Sequence, residues 1–177
     1  MESFKRLKTS FFPSRYDILK SRIKFGENIN DEFKGIEYFD ISFDTKNLLK
    51  IIPPQYQENF CVTLMKINSE VPPHTDTGIK VTINYYYDTG NCVTTFYKFK
   101  KEPKKYQIEN QTNGYLFDEQ ALEPTGFFKA KPYEAWILDV SQPHSVKGGG
   151  NRVAISLATN TYNYEQVCNM LIETGTL

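Results

Sequence analysis

The sequence carries no net charge: 21 lysines and arginines are matched by 21 aspartates and glutamates. That balance argues against a protein built to grip a phosphate backbone, so nucleic acid is not an expected partner. Cysteine is scarce and ill-spaced. Cys61, Cys92 and Cys168 form neither a Cys-x-x-Cys zinc pattern nor a disulfide framework, which points to free thiols in a reducing compartment. No apolar run reaches the length of a membrane span. Residues 1–8 alternate charged and apolar side chains and lack the apolar core of a signal peptide. A cytoplasmic protein without a membrane partner is the expectation. Repeats, low-complexity tracts and interdomain linkers are missing too, so residues 1–177 read as one domain with a substantial core.

Aromatic residues are what the chain has in quantity. Thirteen Phe and twelve Tyr accompany a single Trp, and in a small domain such residues fill a β-sandwich or line a pocket. Residues 15–25 follow Pro13-Ser14 and place Ile18, Leu19 and Ile23 near one face, which predicts a helix. Residues 36–43 alternate and predict a strand; 45–52 predict a short helix ended by Pro53-Pro54. From Phe60 onward strands dominate, over 61–67, 80–87, 93–99, 135–140 and 151–158. The pair 80–87 and 93–99 is expected to form a hairpin around Asp88-Thr89-Gly90-Asn91. Residues 100–132 suggest a further hairpin plus loop, and 164–173 an amphipathic helix. N-terminal support elements over about 1–59, seven or eight strands over about 60–160 and a terminal helix over about 161–177 suggest a mainly β sandwich or barrel with helices on one side.

Histidine occurs only twice, and both copies fall in β context. His74 and Asp76 are two residues apart, a spacing that puts both side chains on one face of an extended segment, which Pro72-Pro73 stiffens. A third ligand must come from a distant strand, and His144 is the remaining imidazole. Two imidazoles and one carboxylate suit a non-haem ferrous centre that keeps positions open for substrate and oxygen. Arg152, after the turn at Gly148-Gly149-Gly150, offers a forked cation matched to the far carboxylate of a small diacid, and Ser156 shares its strand face.

Several blocks resemble the 2-oxoglutarate and Fe(II)-dependent oxygenases, in particular their prolyl-hydroxylase-like branch and related small phage-encoded proteins. They are residues 71–76 (Val-Pro-Pro-His-Thr-Asp), 81–88, 90–96, 136–146 and 152–157, so the likeness spans about 60–160. The resemblance implies a double-stranded β-helix (a jelly roll of the cupin kind), with N-terminal helices packed on one sheet and a short C-terminal helix. It implies His74, Asp76 and His144 as iron ligands and catalytic residues, and Arg152 on the C5 carboxylate of 2-oxoglutarate. Tyr86 falls where the branch often places a hydroxyl on that carboxylate, although its own context reads equally well as core packing; Asn84 and Thr82 share its strand face. Cofactors implied are Fe(II), 2-oxoglutarate and dioxygen, with ascorbate supporting activity. The implied reaction hydroxylates a C–H bond of a peptidyl residue or small molecule and releases succinate and CO2. Because Asp76 is retained, hydroxylation is favoured over halogenation. If the protein is phage-encoded, its location is the host cytoplasm.

Two departures from that pattern concern the cosubstrate: the interval from His144 to Arg152 is short, and Leu64-Met65-Lys66 stands where a tyrosine is common. Two rival readings remain: a metal-binding jelly roll without oxygenase activity, and a degenerate structural viral protein. The run from Lys98 to Lys105 reads first as a solvated hairpin tip.

Overall fold

The computed structural model describes residues 2–8, 28–33, 36–39, 46–76, 78–102, 105–107, 115–148 and 150–177. The helix expected over 15–25 lies outside them. Thirteen strands occur among the described residues, ten of them within 60–160, where seven or eight are expected. They are β1 (Phe4–Arg6), β2 (Asn28–Phe33), β3 (Ile36–Phe39), β4 (Cys61–Ile67), β5 (Val71–Thr75), β6 (Val81–Thr89) and β7 (Val93–Phe99). The chain continues through β8 (Lys105–Gln107), β9 (Tyr115–Phe117), β10 (Leu122–Phe128), β11 (Ala135–Asp139), β12 (His144–Lys147) and β13 (Arg152–Thr159). Two α-helices accompany them, α1 (Lys46–Leu49) and α2 (Tyr164–Glu173), with a 3-10 turn at Pro54–Asn59.

The strands form two antiparallel sheets, ordered β1-β11-β6-β13-β4-β3-β2 and β10-β7-β12-β5-β9-β8. Within them the runs β11-β6-β13-β4 and β10-β7-β12-β5 are built by a chain that alternates between sheets from β4 to β7, returns beside β7 as β10, and alternates again from β10 to β13. That order defines a jelly roll, the double-stranded β-helix. The expected hairpin between β6 and β7 is therefore a correction. The two strands belong to different sheets, and the turn closed by the Cys92 N–H on the Thr89 carbonyl carries the chain across the sandwich. A tight turn between two alternating runs signals a reversal, but it does not say whether the reversal stays in one sheet.

One further expectation is revised. The segment 100–132 does contain a hairpin, β8 with β9, but what reads as loop includes β10, paired along its length with β7. Pro124 and Gly126 hid it. They flank a bulge at Thr125 on the sheet's edge, where a missing N–H costs no ladder bond. Among the described N-terminal residues β1, β2 and β3 extend the larger sheet, and α1 falls within the helix expected over 45–52.

Alternation along each strand sorts side chains into two layers. On β13, Ile155 and Leu157 face outward and pack with Leu64, Ile83 and Ile137 beneath a helical cover. Leu48, Ile51 and Ile52 of the α1 region and Val167 and Leu171 of α2 supply that cover. α2 begins with a capping box in which Asn163 and Gln166 satisfy each other's backbone N–H groups. No helix among the described residues is long and apolar enough to cross a membrane. The inward set, including Arg152, Ala154 and Ser156, faces the smaller sheet.

The crossover at Gly90 sits backbone to backbone against Gly150. Gly90 has φ +53°, and a Cβ there would lie 2.5 Å from the Gly150 carbonyl carbon. Gly90→Ala should therefore lower stability by about 1–3 kcal/mol, read as a fall in the urea midpoint at unchanged slope. An unchanged midpoint would show that this contact relaxes at no cost.

Candidate metal centre

His74 and His144 are cross-strand partners on β5 and β12, with ring centroids 4.2 Å apart. Their register depends on a bulge. Between the pairs His74–His144 and Val71–Val146, β5 spends Pro72 and Pro73 where β12 spends Ser145 alone. Two prolines inside an interior strand are tolerated because the bulge asks for no ladder donor there, and the bulge re-aims His74. Asp76 follows β5, its N–H held by the Val140 carbonyl at 3.0 Å.

Each imidazole is oriented by its own chain. His74 Nδ1 lies 2.8 Å from the Pro72 carbonyl and His144 Nδ1 lies 3.0 Å from the Gln142 carbonyl. A carbonyl only accepts, so both Nδ1 atoms carry the proton and both Nε2 lone pairs are available to a metal. Both Nε2 atoms point at one carboxylate oxygen. Asp76 Oδ1 is 3.2 Å from His74 Nε2 and 3.8 Å from His144 Nε2. The three ligand atoms lie within 4.8 Å of one another, and among the described residues no other such group occurs. Ligands roughly 2.0–2.2 Å from one ion and at right angles stand about 3 Å apart. The donor set therefore fits a six-coordinate ion held on one face, after small side-chain adjustments.

Electrostatics favour the metal-ready protonation states. Burial pushes the His144 pKa down to about 4, and His74 beside it acts in the same direction. His144 is thus neutral at physiological pH, as a ligand must be. Burial works to raise the Asp76 carboxyl, but the two imidazoles beside it outweigh that effect and hold the group below its ordinary range.

The centre opens onto a cavity of about 190 Å³ between the sheets. This is room for several waters and suits a small diacid. Arg152 lines the cavity and is 1% exposed. Its Nη1 donates to Thr94 Oγ1 at 2.8 Å, whereas Nε and Nη2 have no partner among the described residues. Tyr86 is fully buried. Its ring lies under the guanidinium, 5.1 Å from centroid to Cζ, and its hydroxyl, which Asn84 approaches, has no hydrogen-bond partner among the described residues. Burial holds that phenol well above its usual range, so it stays a donor. Packing and polar readings thus meet in Tyr86: the ring supports Arg152 while the hydroxyl is spare. Asn84 and Ser156 are opposed in register on β6 and β13 and line the same cavity, Asn84 with an unpartnered Oδ1.

A second bulge keeps Asp88 away from the arginine, which has no counter-ion among the described residues. Ala154 pairs with Tyr86 and Val153 with Asp88, leaving Tyr87 extra on β6. In unbroken register Asp88 would face inward beside Arg152. The bulge turns Asp88 out to solvent, where it accepts the Gly90 N–H, and Thr89 takes the inward place. The sequence reading missed this device, and it missed Thr94 as the arginine's partner, although Thr94 lies inside the quoted 90–96 block. It missed Phe96 too, which stacks on His144 at 5.5 Å.

Fold and site together define a jelly-roll protein with a buried His/Asp/His cluster capable of holding a metal. No family model matches the sequence, and no curated protein matches it. Solved structures resemble it in part. The vicilin from Capsicum annuum is 14% identical at a TM-score of 0.43, over 85% of this chain and 40% of that one. A cupin-like protein from Thermotoga maritima is 11% identical at 0.37, over 78% and 80%. An oxalate decarboxylase is 11% identical at 0.37, over 77% of this chain and 28% of its own. The chain spans 31% of a vicilin from Solanum melongena. TM-scores this low add no argument, and the jelly-roll assignment stands on the strand order.

Proposed function

We propose that this chain is an Fe(II)- and 2-oxoglutarate-dependent dioxygenase that hydroxylates a C–H bond of a peptidyl residue or a small molecule, releasing succinate and CO2. One observation carries the reading: a fully buried arginine, without a counter-ion among the described residues, lines the cavity onto which the His/Asp/His cluster opens. A buried charge stripped of its partner costs about 3–5 kcal/mol. Such a cost is sustained where a ligand supplies the missing anion, and a dicarboxylate whose other end reaches the metal does so.

His74, Asp76 and His144 would hold the iron, which together with the 2-oxo acid and dioxygen supplies the oxidising chemistry. Arg152 Nε and Nη2 and the Tyr86 hydroxyl are donors without partners, and a carboxylate accepts from all three. The apolar lining from Leu138, Val140 and Val146 excludes water around the reacting groups. Ser156 and Asn84 orient the cosubstrate between these ends.

The direct experiment incubates purified protein with Fe(II), ascorbate and 2-oxoglutarate and measures succinate. Slow uncoupled formation is the expected result. Metal binding without any response to 2-oxoglutarate would favour a metal-binding jelly roll of other function, and no metal binding a structural protein.

A further inference from the structure

We propose that Cys61 is a modification site: its thiol stands at the mouth of the cavity and, by disulfide exchange with a small disulfide such as that of glutathione, takes a cap that closes it. The inference requires the cavity alone and not the oxygenase reading.

Cys61 opens β4 and lies on the inward face with Thr63, Met65 and Ile67, whereas Leu64 points into the helix-covered layer. It lines the cavity and is also exposed, which places it where the cavity meets solvent. Its Sγ–H donates to the Ala158 carbonyl at 3.5 Å. Ala158 is its ladder partner, and Thr82 pairs with Ala158 from the other side, so the three residues form one row across the sheet. Thr82 is 7% exposed, lines the cavity and has an unpartnered Oγ1. A desolvated hydroxyl without a partner marks this end as a place where a polar group is received. Along β13 the row is six residues from Arg152, roughly 20 Å at ~3.3 Å per residue. Cys61 therefore stands at the end remote from Arg152.

The other two thiols are protected. Cys92 is 1% exposed, its Sγ ringed by the Gly90, Gly148 and Gly150 carbonyls at 3.6–3.7 Å. Cys168 is 6% exposed, and burial raises its thiol above the ordinary value. Exchange is thus directed to one sulfur. The Cys61 thiolate attacks one sulfur of the disulfide, a new S–S bond forms, and the other half leaves as a thiolate that takes up a proton. Cys61 sulfur is oxidised, the departing sulfur is reduced, and a dithiol reverses the step. Attached to a thiol at the rim, a tripeptide lies across the opening, whereas a small cap covers little of it.

The test uses the full chain treated with glutathione disulfide. Peptide mapping should find one adduct, on Cys61. Cavity access is then read with 2,3-butanedione, a small reagent for guanidinium groups. Arg152 labelling should slow at least tenfold in the capped protein and recover with dithiothreitol. Cys61→Ser with the disulfide present should label at the uncapped rate. A methylthio cap, being small, should slow labelling much less. The proposal is overturned by an adduct on Cys92 or Cys168, by an unlabelled Arg152 in the reduced protein, by equal rates before and after capping, or by equal slowing from the methylthio cap. None of these readouts involves iron or 2-oxoglutarate, so failure of the assigned reaction is separately visible.

Discussion

Asp76→Ala should abolish succinate formation and weaken divalent metal binding by well over about 100-fold, while leaving the fold in place. The reason lies in the geometry. Asp76 Oδ1 is the point on which both Nε2 atoms converge, at 3.2 and 3.8 Å, and Asp76 is the carboxylate of the described metal-type group. Losing a group that merely orients a ligand already costs about 10–100-fold in affinity, and loss of a ligand itself costs more. The measurement is a thermal shift titrated with Mn(II) beside the succinate assay. In the unsubstituted chain, metal at 100 times its dissociation constant should stabilise by about 2.7 kcal/mol; in the variant that shift should vanish. Retention of the shift would remove Asp76 from the coordination sphere, and with it the proposed chemistry.

How far the sequence foretold this arrangement follows from which signals are local. Period-two spacing put His74 beside Asp76 and Ser156 on the face of Arg152, and both relations are present in the structure. β4, β13 and α2 were also legible, because each carries its own periodicity over seven or more residues. Bulges are not local signals. Nothing in Tyr85-Tyr86-Tyr87-Asp88 says that Tyr87 will be unpaired, yet that single extra residue expels Asp88 and leaves Arg152 without its nearest acid. Nor does Asp88-Thr89-Gly90-Asn91 reveal that the chain changes sheets there, since a turn of the same composition would serve a hairpin. Cys61 is the clearest case of a position that only the fold makes meaningful. In sequence it is an ordinary strand residue, and in the sandwich it is the last inward residue before solvent.

Arg152 is where stability and function pull apart, and its replacement separates them. Arg152→Met should raise the dissociation constant for 2-oxoglutarate by about 30-fold or more, since truncating one member of a buried, hydrogen-bonded charge pair costs about 2–5 kcal/mol. Metal affinity should change by less than a few fold, because the guanidinium touches Thr94 and Tyr86 and none of the three ligands. The same substitution should stabilise the ligand-free protein. It removes a charge buried to 1% exposure with two unpartnered donors and puts an apolar chain of similar length among Met65, Val71 and Val146. Replacing buried ionic groups by well-packed apolar ones is often worth about 1–4 kcal/mol, offset in part by the Thr94 hydrogen bond that is lost. Urea unfolding of the metal-free variant measures the first effect, and calorimetric titration with 2-oxoglutarate the second. A destabilised variant that still binds the diacid would make the arginine a scaffold residue. A stabilised variant that no longer binds it would establish that the fold carries a buried charge at its own expense, because a ligand completes the pair.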